Sequence, residues 1–303
     1  YVGAKPIFVD IVSETINLDP QAVKQALGRY PETKAILPVH FGGLPCDMAA
    51  ISQMGWDHGC SIIEDAAHAL GARYASGDPV GCCKYSDMTV FSFHPVKLIA
   101  AGEGGVITTN NEKHYRSLLR LRSHGINKLD DPLLIEEEAF TADNANRWYY
   151  EMQELGFNYR ITDIQSALGR SQLTKLSAFV ERRRQLAKWY DNQFTGESNL
   201  ITCQFQSREL SSHHLYVLRI SFDSIKRSRN EFMANLKNVG IGSQVHYLPV
   251  PMHPYYRNLG YTMADLPVAE QYYRECLSIP LFFDLDQRGQ ERVVSVIKAG
   301  TLE

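Results

Sequence analysis

Apolar runs alternate with helical patterns through the first third of the chain. Residues 19–27 and 48–54 have helical spacing, and Asp19 suits the N-cap of the first of these helices, with Pro20 at its first turn. The apolar runs predict strands at residues 6–10, 34–40, 60–64, 88–92 and 105–109. Near-continuous apolar strands separated by helices favour an α/β fold with a doubly wound, largely parallel sheet covered on both faces.

The pattern changes near residue 130. Residues 130–147 are acidic and irregular, and they predict a surface loop or insertion. Apolar positions then recur at helical spacing from residue 163 to about residue 192, which predicts one long helix. Gly196 and the polar residues after it suit a boundary.

The last third of the chain has the character of a separate unit. Residues 214–220 alternate like a sheet strand, and residues 229–239 have helical spacing. We therefore predict a large domain over residues 1–175, followed over residues 176–303 by a connecting helix and a small α+β domain.

Composition narrows the class of protein. Hydrophobic residues make up 44 % and charged residues 21 % of the 303-residue chain, as in ordinary globular proteins. The net charge of −3 gives no electrostatic reason to expect nucleic acid or an anionic membrane as a partner. No apolar run approaches the roughly 20 residues that a membrane-spanning helix needs.

The cysteines give no sign of a metal or disulfide framework. There is no CxxC pair and no His/Cys set at zinc spacing, so we predict no metal site. Unpaired thiols suit a reducing compartment, and we expect a cytoplasmic protein. The cysteines are at positions 46, 60, 82, 83, 203 and 276.

Lys97 and Asp65 are the most informative pair of residues. Each follows an apolar, β-rich run, where an open α/β sheet presents its strand ends to a ligand crevice. A lysine amine that forms a Schiff base and a carboxylate that keeps a ring nitrogen protonated are what pyridoxal phosphate requires. Taken singly, the lysine is more often a solvated loop residue and the aspartate a helix N-cap or turn residue.

Motifs around this pair resemble the DegT/DnrJ/EryC1/StrS family of sugar aminotransferases. They occur in family order, so the resemblance covers the whole chain. They are residues 64–71 (EDAAHALG), 91–97 (FSFHPVK), 102–109 (GEGGVITT), 122–125 (RSHG), 156–160 (GFNYR) and 162–169 (TDIQSALG). The resemblance implies an aspartate-aminotransferase-like fold of type I and a homodimer with its active sites at the interface. It also implies transfer of an amino group, with glutamate as the expected donor, to the keto carbon of a nucleotide-linked deoxysugar.

The family motifs assign roles to five residues around the cofactor. Lys97 would carry pyridoxal phosphate, Asp65 would pair with its ring nitrogen, and His68 would lie near its phenolic oxygen. Ser92 would contact the phosphate, and Asn158 would reach the phosphate in the partner subunit. The alternatives are a satisfied core histidine for His68, a turn residue for Ser92 and a loop asparagine for Asn158.

Glu103 and Arg160 are candidates for substrate binding. Glu103, within the glycine-rich residues 102–105, is either a substrate contact or a buried structural acid. The glycines around it are expected to allow close passage of the backbone beside Lys97. Arg160 is either a clamp for a carboxylate or phosphate, or a partner of Asp163, and the second role is favoured.

His246 and Tyr247 are the candidates from the second half of the chain. An imidazole and a phenol suit a sugar diphosphate, because the phenol offers both an apolar face and a hydroxyl. His40 also follows a predicted strand and is a weaker candidate.

Two segments resemble one branch of the family in particular. Residues 92–97 and 245–250 look most like the pseudaminic-acid branch, which aminates C4 of a UDP-linked 4-keto-6-deoxy-N-acetyl-altrosamine sugar. One alternative is an aminotransferase for another keto sugar, of the perosamine or 4-amino-arabinose type. The other is a non-catalytic or regulatory relative, against which the retention of Lys97 and Asp65 argues.

The start of the chain suggests an incomplete N-terminus. Residue 1 is tyrosine, and the first residues read as the end of one element running directly into a strand. Family members carry a preceding stretch with a helix start that binds the cofactor phosphate and an aromatic residue that stacks on the ring. We therefore expect these 303 residues to hold the cofactor weakly, with Ser92 and a partner's Asn158 left to bind the phosphate.

Overall fold

The computed structural model describes residues 1–128 and 132–301. The helices are α1 (Pro20–Arg29), α2 (Met48–Asp57), α3 (Glu112–Leu121), α4 (Glu136–Ala139), α5 (Asp163–Leu173), α6 (Leu176–Phe194), α7 (Arg229–Asn238), α8 (Pro254–Asn258), α9 (Pro267–Glu275) and α10 (Gln287–Thr301). The strands are β1 (Ala35–Ile36), β2 (Ser61–Asp65), β3 (Met88–Ser92), β4 (Gly105–Thr108), β5 (Ile126–Asn127), β6 (Phe140–Thr141), β7 (Asn144–Ala145), β8 (Glu151–Met152), β9 (Leu200–Thr202), β10 (Tyr216–Ile220) and β11 (Cys276–Ile279).

The first sheet has the order β1-β2-β3-β4. Strands β1, β2 and β3 are parallel, whereas β4 is antiparallel to β3. Turns, not helices, connect β2 to β3 and β3 to β4, so the alternation of strand and helix ends earlier than predicted. Helices α1 and α2 pack on the sheet through a core that includes Leu27, Ile51 and Ile62.

The predicted strand at residues 6–10 is wrong. This segment has no regular structure, and only Ile11 forms an isolated bridge, to Leu18. The Asp10 carboxylate instead accepts hydrogen bonds of 2.9 Å from the backbone N–H groups of Val268 and Ala269 at the start of α9. A contact 258 residues away therefore fixes the segment.

The single long helix predicted from residue 163 is two helices. Helix α5 ends at Leu173 and α6 begins at Leu176. Helix α5 has no buried residue, whereas α6 buries Tyr190 and Phe194 in the second core. The apolar spacing continues across the break, which is why periodicity alone did not reveal it.

The second sheet has the order β11-β10-β9 and is antiparallel. Every residue of the central strand β10 is buried, so the expected alternation of buried and exposed positions is absent. Its core cluster joins α6, α7 and α10 to the sheet. The domain boundary near residue 175 stays a prediction.

The acidic segment is more regular than predicted. Asp130 lies outside the described residues, but residues 132–147 contain α4 and the β6–β7 hairpin. The Glu151 carboxylate anchors this segment by accepting hydrogen bonds from the backbone N–H groups of Leu134 (2.7 Å) and Ile135 (2.8 Å).

Across residues 1–128 and 132–301, the helices are all too short or too polar to span a bilayer.

Candidate active site

Two of the predicted cofactor residues lie at the same edge of the first sheet. Asp65 is the last residue of β2 and Ser92 the last residue of β3, and these strands are parallel neighbours in which Asp65 pairs with Val90. Lys97 follows in the turn after β3, where its backbone N–H donates to the His94 carbonyl at 2.9 Å. The carboxyl ends of parallel strands are where open α/β sheets bind ligands.

Lys97 is half-buried, and its charge interacts with those of other candidate residues. Burial lowers its pKa, although the Asp65 carboxylate acts in the opposite direction. The Lys97 charge in turn contributes, after burial, to lowering the pKa of His68 and of His246. A lowered pKa increases the fraction of neutral amine, which is the nucleophilic form.

His68 is buried but also faces the site. Its Nδ1 accepts a hydrogen bond from the Gly42 backbone N–H at 3.4 Å, and its Nε2 lies 3.2 Å from the Tyr247 hydroxyl oxygen. Burial lowers its pKa to about 3, with smaller contributions from Lys97 and His246. His68 is therefore a neutral imidazole with both nitrogens engaged.

The second half of the chain contributes His246 and Tyr247. His246 Nδ1 lies 2.7 Å from Ser278 Oγ of β11, and the Tyr272 hydroxyl donates to the His246 carbonyl at 2.7 Å. Burial raises the pKa of Tyr247, and the negative charge of Asp65 adds to this effect. Tyr247 and His68, 179 positions apart in sequence, are thus brought together.

Glu64 was not among the predicted site residues. This carboxylate is completely buried next to Asp65. It accepts hydrogen bonds from donors that are 10 to 25 residues away in sequence: His40 Nε2 (2.7 Å), Tyr74 Oη (2.7 Å), Ser86 Oγ (2.5 Å) and Thr89 Oγ1 (3.0 Å). Burial alone would raise the pKa of Glu64, but these hydrogen bonds, led by that of His40, lower it overall. The one sequence signal for this cluster of hydrogen bonds was that Glu64 follows two isoleucines within a predicted strand.

The candidate role of His40 in the substrate site is wrong. Its side chain is fully buried. Nδ1 accepts from the Cys46 backbone N–H at 3.1 Å, so the hydrogen lies on Nε2 and is donated to Glu64. His40 supports the buried carboxylate below the sheet edge.

His214 is a second residue at the site that was not predicted from the sequence. It is 8 % exposed, and the centroid of its ring lies 4.4 Å from that of His68. Within residues 1–128 and 132–301, its Nδ1 has no hydrogen-bond partner. Burial lowers its pKa to about 2, so it is a neutral ring beneath His68.

The remaining candidates lie on the surface. Glu103 is exposed, which excludes the buried structural acid, and its carboxylate lies 3.8 Å from His94 Nε2. Asn158 is exposed and forms an isolated bridge to Ser123. The favoured ion pair of Arg160 with Asp163 is wrong, because the described part of the chain contains no such contact and both residues are exposed.

Two glycines set the course of the backbone that carries Asn158. A Cβ atom at Gly125 would lie 1.8 Å from the Glu154 carbonyl oxygen, and one at Gly156 would lie 2.1 Å from the Gly125 nitrogen. Only glycine permits the two segments to cross this closely. A similar close approach occurs at Gly105, where a Cβ would lie 2.6 Å from the Phe91 carbonyl oxygen. The close backbone passage that was expected beside Lys97 is therefore against strand β3.

The residues at the sheet edge fit pyridoxal phosphate. A half-buried lysine with a lowered pKa can hold the aldehyde carbon, a carboxylate can hold a protonated ring nitrogen, and the Ser92 hydroxyl can donate to a phosphate. The neutral imidazole of His68 adds an uncharged polar group to the site.

Known proteins of similar sequence and fold indicate the family. The chain is 36 % identical over 301 residues to the Bacillus subtilis spore coat polysaccharide biosynthesis protein SpsC, covering 98 % of this chain and 74 % of SpsC. Helicobacter pylori PseC, an aminotransferase involved in the biosynthesis of pseudoaminic acid, superposes with a TM-score of 0.86 at 27 % identity, over 99 % of this chain and 74 % of PseC. The PLP-form of Streptococcus pneumoniae Spr1654 superposes with a TM-score of 0.83 at 29 % identity, over 99 % of this chain and 76 % of Spr1654.

These superpositions confirm the predicted α/β fold of the aspartate-aminotransferase type. The profile of the DegT/DnrJ/EryC1/StrS aminotransferase family matches residues 1–298. The chain therefore belongs to this family and is a pyridoxal-phosphate-dependent sugar aminotransferase.

Proposed function

We propose that the enzyme transfers an amino group from glutamate to the C4 keto carbon of a UDP-linked 4-keto-6-deoxy-N-acetyl amino sugar, the reaction of the pseudaminic-acid branch. The main support for the aminotransfer chemistry is Lys97, which is half-buried, has a lowered pKa and interacts electrostatically with Asp65. The choice of sugar is supported by the amino-acid sequences of residues 92–97 and 245–250 and by the similarity to PseC.

Lys97 and Asp65 divide the chemical work. The bound cofactor supplies an electron sink for a carbanion. Lys97 Nζ would hold the cofactor, and the same amine would accept a proton from the amino donor and return one to the sugar. The Asp65 carboxylate would keep the ring nitrogen protonated, and His68 and Ser92 would help to hold the cofactor.

The sugar nucleotide is held from the second half of the chain. His246 is fixed by Ser278, and Tyr247 is half-exposed, so both can face a ligand bound beside Lys97. Exposed Glu103 and Arg160 are assigned to the outer part of the substrate, where a carboxylate can accept from sugar hydroxyls and a guanidinium can bind a phosphate.

A homodimer would complete the site through Asn158. Large apolar residues around it are strongly exposed in a single chain: Leu155 is 86 %, Phe157 53 % and Tyr159 72 % exposed. A contiguous exposed apolar patch marks an interaction surface. A second copy of this chain covering the patch would bring Asn158 to the cofactor phosphate of its partner.

Mixing two inactive variants tests this arrangement. Asn158→Ala and Lys97→Ala chains, mixed in equal amounts with subunit exchange, should recover about one quarter of wild-type activity, because half of the dimers would contain one intact site. Activity is measured after exchange is verified by mass-tagged subunits. Asn144→Ala, in the exposed hairpin, is the matched control and should be active alone. Complete exchange with no recovery would place Asn158 outside the partner's site.

A coupled assay across several UDP- and GDP-linked 4-keto sugars tests the substrate. We expect kcat/KM for the N-acetyl-altrosamine sugar to exceed that for perosamine and 4-amino-arabinose precursors by at least about 100-fold, since a site that hydrogen-bonds a substrate group rejects analogues without it. Preference for another sugar would overturn the assignment of the branch. A protein that binds the cofactor but turns over no sugar would favour the non-catalytic alternative.

A further inference from the structure

The rings of His214, His68 and Tyr247 follow one another in contact. The centroids of His214 and His68 are 4.4 Å apart with an interplanar angle of 36°, and those of His68 and Tyr247 are 6.1 Å apart at 25°. The Tyr247 ring also contacts the His246 ring, at 4.6 Å and 73°. These neighbours restrain the Tyr247 ring, so its hydroxyl has a defined position.

The hydrogen bonds of His68 have a fixed direction. A backbone N–H can only donate, so the approach of the Gly42 N–H to Nδ1 at 3.4 Å requires a lone pair on Nδ1. The ring is neutral, because burial lowers its pKa to about 3, and its one hydrogen is therefore on Nε2. Nε2 lies 3.2 Å from the Tyr247 oxygen, so His68 donates and Tyr247 accepts.

This direction leaves the hydrogen of Tyr247 for another acceptor. Among the described residues, the Tyr247 hydroxyl has no protein partner besides His68. Its side chain is 49 % exposed, so the hydroxyl can reach a bound molecule. The phenol also keeps its hydrogen at neutral pH, because burial and the Asp65 charge raise its pKa.

We propose that the Tyr247 hydroxyl is a fixed hydrogen-bond donor to an electron-rich oxygen of the molecules bound beside Lys97, and that His68 is the positioning residue that sets this direction. The proposal rests on the proposed function of the site. The oxygen belongs either to the cofactor ring or to the keto sugar, and both offer the same acceptor chemistry. Because this series of hydrogen bonds begins at the Gly42 N–H, which can only donate, its direction cannot reverse.

Tyr247→Phe tests the donor, since it removes the hydroxyl and keeps the ring packing. The half-reaction with glutamate and the half-reaction with the keto sugar are measured separately, together with the absorption spectrum of the bound cofactor as a function of pH. A contact with the cofactor should slow both half-reactions by about 10- to 100-fold and shift the spectral titration. A contact with the sugar should slow only the sugar half-reaction and leave the spectrum unchanged.

Two His68 variants test the positioning role. Glutamine can accept from the Gly42 N–H and donate to Tyr247, so His68→Gln should retain most activity, whereas His68→Leu should reproduce the Tyr247→Phe defect. Adding Tyr247→Phe to His68→Leu should then cost little more. Tyr255→Phe, an exposed tyrosine paired with Tyr256 outside this group of rings, is the control and should match wild type.

The outcomes separate this inference from the proposed function. If Tyr247→Phe is within about twofold of wild type in both half-reactions and has the wild-type spectrum, the donor role is overturned. If the wild-type enzyme aminates none of the sugars offered, the proposed substrate fails instead. The glutamate half-reaction and the spectral titration then still decide whether Tyr247 donates to the cofactor, and no change in either overturns donation to the cofactor.

Discussion

Lys97→Ala is expected to lower kcat/KM by at least about 1,000-fold, because the residue that holds the cofactor also moves the proton. Borohydride treatment of the cofactor-loaded wild-type enzyme should attach a pyridoxyl group to Lys97, as read by peptide mass spectrometry. Lys84, which forms a surface ion pair of 2.6 Å with Asp78, is the matched control and should remain unlabelled. A pyridoxyl label on another lysine would contradict the assignment of Lys97 as the residue that binds the cofactor.

The same variant should remain folded. Burial lowers the pKa of Lys97, which means that the folded protein disfavours its charge relative to the unfolded chain. This cost is present at every pH below the unfolded pKa of lysine, neutral pH included. Lys97→Ala should therefore melt at or above the wild-type temperature in the absence of cofactor. A large fall in melting temperature would mean that lost activity reports lost structure.

Local signals in the sequence predicted the elements that depend on neighbouring residues. Asp19 caps α1 by accepting from the Gln21 N–H at 2.9 Å, and Pro20 is the first helical residue, as the sequence indicates. Strands β2 and β3 fall within one residue of the predicted runs, because each centres on adjacent apolar residues. Their ends place Asp65 and Ser92 at one edge, which is why the site could be anticipated.

The errors arise where distant contacts decide the structure. Asp10 follows a strand-like run, but its carboxylate caps a helix near the other end of the chain. In the sequence, Glu64 is only an acid within a strand, whereas in the structure it accepts hydrogen bonds from four donors elsewhere in the fold. His214 gives no periodic or motif signal, because only the fold brings its ring against that of His68. Sequence patterns report periodicity and caps, and they do not report which distant side chains meet.

Asp65→Asn is expected to bind cofactor but to lower kcat by about 100- to 1,000-fold, the typical loss when one preorganised electrostatic partner is removed. The substitution is nearly isosteric. The Asp65 Oδ1 accepts from the Ala67 N–H at 3.0 Å, and the amide oxygen of asparagine can accept the same bond. The turn after β2 and the buried Glu64 cluster should therefore be preserved, and only the negative charge is lost.

Three measurements separate this charge effect from damage to the fold. The melting temperature should stay near that of the wild type, the cofactor should still be bound, and both half-reactions should slow, because each requires a protonated ring nitrogen. Asp57→Asn, at the exposed end of α2, is the control and should leave kcat unchanged. If Asp65→Asn turns over at near wild-type rates, the carboxylate at the end of β2 does not hold the ring nitrogen, and its influence on Lys97 and Tyr247 would be the remaining reason for a charge at this position.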